Sequence, residues 1–134
     1  MPAYFVDSWF LIAACNRLDS DYAAALRLEQ RLAGARFITH DGVLSEVLTY
    51  FCEAGAFHRQ HGVAMVRRAL RDFAVEPMTR DLFMRGLERY AARLDNEYSH
   101  IDCVSMVVME DTGIQHVLTN DHHFTQAGFT VVSQ

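Results

Sequence analysis

The chain contains no lysine, and all 12 of its basic residues are arginine. That absence removes several enzyme classes. A P-loop NTPase uses a lysine beside its phosphates, a protein kinase a strand lysine, and a pyridoxal enzyme a Schiff-base lysine. Phosphotransfer domains built on a nucleophilic aspartate, which usually employ a lysine, lose weight too. Neither Gly-x-Ser-x-Gly nor Gly-x-Gly-x-x-Gly occurs, so the nucleophile elbow and the dinucleotide fingerprint are missing. With 2 prolines and 7 glycines there is no low-complexity linker, and no internal repeat is visible. No apolar run approaches the roughly 20 residues of a membrane-spanning helix. Met1 to Asp7 carries none of the basic residues that open a signal peptide. Cys15, Cys52 and Cys103 are odd in number and far apart, with no Cys-x-x-Cys pair. They are expected to be small buried hydrophobes rather than a disulfide framework or a structural zinc site.

What is present is 134 residues, 51% hydrophobic and 22% charged, which suits a single domain over 1–134. The expected setting is soluble and cytoplasmic. A net charge of −5 argues at first sight against a nucleic-acid partner. The location of the acids matters more than their sum. Four of them gathered in one metal site would leave the remaining surface near neutral, and bound cations would offset the cluster. A polyanionic substrate is therefore compatible with this composition.

Short apolar runs alternate with helical periodicity. Ala3 to Val6 reads as a strand, followed by helical spacing over Phe10–Leu18 and Tyr22–Leu32 with a cap near Asp19 or Ser20. Arg36–Thr39 reads as a second strand. Asp41-Gly42 opens a helix with an apolar stripe at Val43, Leu44, Val47, Leu48, Phe51 and Cys52, and Gly55 is expected to close it. A helix over Phe57–Phe73, an extended piece through Val75 and Pro77, and a Thr79-capped helix over Arg80–Leu94 follow. Ser99-His100-Ile101-Asp102 has the form of a capping box opening a nearly all-apolar helix that Gly113 ends. His116–Leu118 and Thr130–Val132 complete the strands. This alternation predicts an α/β fold, three-layered, with a central, mainly parallel sheet flanked by helices.

Ligands of open parallel sheets bind beyond the carboxyl ends of the strands. Asp7 follows the first strand, and Asp121 follows Val117-Leu118-Thr119-Asn120. Asp102 lies in the first turn of the apolar helix. Glu46 stands at the border of its helix's stripe, about 60° from Val43 on an ideal wheel. Each also has an ordinary explanation: a cap for Asp7, a capping box for Asp102, a solvated flank for Glu46, a turn for Asp121.

Together, however, four blocks form a pattern. Phe5-Val6-Asp7-Ser8, Val43-Leu44-Ser45-Glu46-Val47-Leu48, Ser99-His100-Ile101-Asp102-Cys103-Val104-Ser105 and Leu118-Thr119-Asn120-Asp121-His122-His123-Phe124, with Gly128-Phe129, resemble a PIN domain. More narrowly, the chain resembles the VapC-type toxins of bacterial toxin–antitoxin pairs, over its whole length and in order. The resemblance implies a metal-dependent ribonuclease whose acids are Asp7, Glu46, Asp102 and Asp121, with Ser8 and Thr119 as supporting hydroxyls. It also implies a small antitoxin partner, a homodimer, and an RNA substrate such as tRNA, rRNA or mRNA. Trp9 departs from the pattern, standing where small or amide residues are common. So does His123, which stands where another acid sometimes appears.

Clustered hard oxygen donors favour Mg²⁺ or Mn²⁺ over zinc. The zinc spacing His-Glu-x-x-His is absent, so His122 and His123 are expected to line the cleft or cap its turn. Arg85, Arg89 and Arg93, at i, i+4 and i+8, form a cationic stripe spanning about 80° of a helix, a candidate RNA path or an ordinary solvated face. Trp9, Phe10, Phe57 and Phe83 are candidate apolar surface for a partner. The rival readings are a housekeeping PIN nuclease without antitoxin, a PIN-like binding module whose activity has lapsed, and a metal-dependent phosphatase.

Overall fold

The computed structural model describes residues 2–134. Among these residues five strands form one all-parallel sheet, ordered β3-β2-β1-β4-β5, flanked by seven helices. The strands are β1 (Ala3–Val6), β2 (Arg36–His40), β3 (Ala74–Glu76), β4 (His116–Leu118) and β5 (Thr130–Val132). The helices are α1 (Ser8–Cys15), α2 (Tyr22–Arg31), α3 (Asp41–Tyr50), α4 (Ala56–Asp72), α5 (Arg80–Ala92), α6 (His100–Thr112) and α7 (His123–Gln126).

The strand order determines where the helices go. From β1 the chain steps outward to β2 and then β3 through α1 to α4. It then returns through α5 and α6 to β4, on the other side of β1. Parallel crossovers are right-handed, so reversing the direction of travel moves the connecting helices to the opposite face. The packing agrees: α1 contacts α2, α3 and α4, while α5 pairs with α6. The reversal falls between β1 and β4, whose residues Phe5 and Val6 pair with Val117 and Leu118.

The core lies on both faces of this sheet. Phe5, Val6, Val117 and Leu118 are fully buried, as near-continuous apolar strands of a parallel sheet must be. Each such side chain contributes about 1.5–3 kcal/mol by leaving water. Helix α6 is buried at every position from Cys103 to Met109, which explains why its sequence has almost no polar face. Helix α5 approaches it closely because Gly86 has no side chain; a Cβ there would overlap Val104.

Several expectations need adjustment. Helix α1 starts at Ser8 and stops at Cys15, rather than running from Phe10 to Leu18. Gly55 does not end α3, which finishes at Tyr50; with φ 91° it is the N-cap of α4. Its positive φ, which suits glycine, serves the start of the following helix. Phe10 is buried in the core at 4% exposure, whereas Phe57 is 67% exposed. Trp9 is anchored, its Nε1–H donating to Asp21 Oδ2 at 3.0 Å and tying α1 to the start of α2.

Candidate active site

The site begins with two adjacent strand ends. Asp7 directly follows β1, its N–H donating to Leu118 O at 3.2 Å, and Thr119 follows β4. The Thr119 hydroxyl donates to Asp7 Oδ2 at 2.7 Å and accepts from the Asp121 N–H at 3.2 Å. One side chain thus sets the positions of two acids. Asp7 occupies the N-cap position of α1, yet its side chain makes no capping hydrogen bond. It is 6% exposed, and burial pushes its carboxyl up to about 6. The Thr119 hydroxyl and the Ser8 amide pull the other way, while the charges of Asp102 and Asp121 add to the rise.

Glu46 enters from α3. The N-cap of that helix is His40, whose Nδ1 accepts from the Gly42 N–H at 3.0 Å. An accepting Nδ1 places the ring proton on Nε2, which donates to Ser105 Oγ at 2.9 Å, and Ser105 donates to Ile101 O at 3.0 Å. This buried chain ties α3, carrying Glu46, to α6, carrying Asp102. Burial holds the His40 imidazole down at about 4, so the ring stays neutral and the chain keeps one direction. Glu46 is pushed up to about 7, by burial first and then by Asp7 and Asp102, with the Ser8 hydroxyl opposing.

Asp102 performs two tasks. Its Oδ2 accepts from the Ser99 N–H at 3.1 Å while Ser99 Oγ accepts from the Asp102 N–H at 3.0 Å, a complete capping box. The same carboxylate also lies in a group with Asp121 and His123 whose donor atoms are all within 4.8 Å of one another. Burial raises its carboxyl above the ordinary range, as does Asp121; Ser99 and His123 lower it. Asp121 likewise forms a turn, Oδ1 accepting from the His123 N–H at 2.9 Å, and faces the cluster. For both acids the local capping or turn role leaves the carboxylate within the compact group.

Asp7, Glu46, Asp102 and Asp121 therefore come from four separate segments to within electrostatic reach, Asp102 and Asp121 acting on Asp7, and Asp7 and Asp102 on Glu46. Ser8 is bonded to Glu46, and Thr119 lies between Asp7 and Asp121. The compact group of donor atoms holds Asp102, Asp121 and His123, and Asp7 and Glu46 stand outside it. Close carboxylates resist simultaneous ionisation unless positive charge is shared among them. Oxygen donors in such number, with one imidazole, fit a divalent cation. His123 is the member that sequence reasoning left outside the donor set; its signal was its place two residues after Asp121, where the family pattern sometimes carries another acid. Beside the cluster a groove of about 370 Å³ opens, lined by Ser8, Ile12, Ser45, Glu46, Thr49 and Tyr50.

The arginine stripe is not part of this cluster. Arg85 forms a bidentate pair with Asp111 at 2.6 and 2.7 Å, Arg89 pairs with Glu110, and Arg93 lies 3.9 Å from Asp95. Asp111 is nine residues along α6 from Asp102, about 13 Å at helical rise. Arg85 and Arg89 thus both pair with the end of α6 away from Asp102.

A parallel sheet carrying four carboxylates at its switch point defines a PIN-like α/β protein with a candidate metal centre. No family model matches the chain. Individual relatives do. It is 32% identical over 128 residues, 96% of each chain, to the 23S rRNA-specific endonuclease VapC20 of Mycobacterium tuberculosis. The crystal structure of that protein, a sarcin–ricin-loop-cleaving toxin, superposes with a TM-score of 0.85 at 30% identity, covering 98% of this chain and 99% of the other. VapBC2 from Rickettsia felis, solved with a promoter DNA fragment, shares the fold with a TM-score of 0.68 at 11% identity and 97% coverage of both. The chain belongs to the VapC family of PIN-domain ribonuclease toxins.

Proposed function

We propose that this chain is a Mg²⁺- or Mn²⁺-dependent endoribonuclease acting on ribosomal RNA, restrained in the cytoplasm by a small antitoxin. The observation that carries this reading is the convergence of Asp7, Glu46, Asp102 and Asp121 at the β1–β4 switch point of a chain related to VapC20 along its length. The 23S specificity printed for that relative supports rRNA as substrate, and the VapBC2 relative supports an antitoxin partner. Residues 1–134 act as one PIN domain, and two copies form the working unit.

Asp7, Asp102, Asp121 and Glu46 would hold the cation, with Ser8 and Thr119 supporting them. A cation bound there supplies positive charge against the phosphodiester and makes nearby water more acidic. The chain's own contribution is positional. Thr119 fixes one oxygen of Asp7, while the Ser99 box orients Asp102. Glu46, beside the groove, would complete the set from the α3 side. Arg89 and Arg93 would guide the RNA backbone toward the acids, exchanging their present carboxylate partners for phosphates.

The test is incubation of the purified chain with ribosomes, followed by mapping of new RNA ends by primer extension. A discrete cut in the large-subunit RNA that is lost in Asp7→Asn supports the proposal in full. Cuts confined to tRNA or mRNA would refute the substrate while leaving the nuclease, and no cut in any RNA by folded, metal-loaded protein would refute both.

A further inference from the structure

We infer that His123 is a nitrogen ligand of the metal centre and makes it prefer Mn²⁺ to Mg²⁺. This rests on the metal-dependent reading above and deepens it. The ring is delivered to the acids by structure on every side. The His123 backbone N–H donates to Asp121 Oδ1 at 2.9 Å, and the ring's Nδ1 lies 3.1 Å from that same oxygen. Donor atoms of His123, Asp121 and Asp102 fall within 4.8 Å of one another. Donors at about 2.1 Å from one ion stand about 3.0 Å apart when cis and about 4.2 Å when trans, separations that side-chain rotation of the three residues can reach.

The far side of the ring is also arranged. Tyr98 packs edge-on against it, with centroids 5.6 Å apart and planes at 76°. Glu97 Oε2 lies 3.8 Å from Nε2. A histidine with one nitrogen toward a metal and the other toward a carboxylate is the usual arrangement of imidazole ligands. Glu97 is exposed, so its part is to bias the ring's orientation rather than to bind strongly.

The chemical consequence concerns the choice of ion. Mg²⁺ takes oxygen donors and gives up its water reluctantly, whereas imidazole suits first-row transition ions. Three carboxylates alone would distinguish Mg²⁺ from Mn²⁺ weakly. Replacing one oxygen donor by an imidazole nitrogen disfavours Mg²⁺ specifically. The competing role for His123 is a hydrogen bond from Nδ1–H that merely orients Asp121, which would leave ion choice untouched.

Pulsed EPR of the full chain loaded with Mn²⁺ alone separates these. Coupling of the Mn²⁺ spin to nitrogen, altered by ¹⁵N-histidine labelling and abolished in His123→Asn, is the expected result. Bound Mn²⁺ without nitrogen coupling, or coupling that survives in His123→Asn, would overturn the inference while leaving the metal centre in place. Absence of Mn²⁺ binding at this site altogether would instead defeat the metal-dependent reading. In a parallel titration, His123→Asp should lower the Mn²⁺:Mg²⁺ affinity ratio by about tenfold or more, the scale on which changes around a ligand shell act. An unchanged ratio would also count against the inference.

Discussion

Replacing Asp7 by asparagine should make the metal-free protein more stable. Asp7 is buried, and its carboxyl rises from 3.8 to about 6 on folding. At about 1.4 kcal/mol per pH unit of displacement, the ionised native form carries a penalty of about 3 kcal/mol. The sign follows from proton counting. Between pH 3.8 and 6 the native state retains a proton that the unfolded chain has released. Stability therefore falls as pH rises through that window and stays low above it. His40, held down at about 4, tilts the curve oppositely, but it is common to both proteins and cancels in the comparison. Asparagine is the same size and can still accept from Thr119. In EDTA at pH 8, Asp7→Asn should gain about 2–3 kcal/mol, or about 10 °C in Tm for a chain of this size; at pH 4 the difference should shrink to about 0.5 kcal/mol. Mn²⁺ at about a thousandfold excess over the parent's Kd should reverse the order, because the parent then gains about 4.1 kcal/mol while the variant, lacking one carboxylate ligand, gains less. The assay is urea or thermal unfolding across pH with and without metal. An Asp7→Asn chain less stable than the parent in EDTA at pH 8 would refute the electrostatic account of this residue.

Other perturbations test the supporting structure. His40→Ala removes the acceptor for Gly42 and the donor to Ser105 in a fully buried place; a loss of about 2–4 kcal/mol is expected in denaturant titration. Gly86→Ala should cost about 1–3 kcal/mol by driving α5 away from Val104, read as a shifted midpoint with the same denaturant slope. An Arg89→Gln, Arg93→Gln double variant should raise KM for RNA and flatten its salt dependence by one to two phosphate contacts, with kcat unchanged. An unchanged salt slope would assign those arginines to Glu110 and Asp95 alone.

Much of the site was legible because it follows from chain order. Asp7 and Asp121 immediately succeed strands, and in a parallel sheet that position faces the ligand side. Glu46 could be placed by its angle to an apolar stripe. Asp102 was visible as a cap, and its second task could be inferred only from the company of the other blocks. His123 stood out in the sequence only as a departure from an acid of the family pattern, and its distance to Asp102 is decided by how α6 packs against the sheet. The arginine stripe was equally plain along α5, but the acids that neutralise it, Glu110 and Asp111, lie on the next helix. Periodicity describes one helix at a time and says nothing of its neighbour's charges.

The central claim is that one metal centre, built from these four acids, drives RNA cleavage. Its most direct test is to strip the chain with EDTA, titrate Mn²⁺ back, and follow metal binding and RNA cleavage in the same samples. The account predicts that the two curves coincide and that Asp121→Asn weakens both together. Cleavage that persists undiminished in excess EDTA, or that ignores Asp121→Asn, would contradict it.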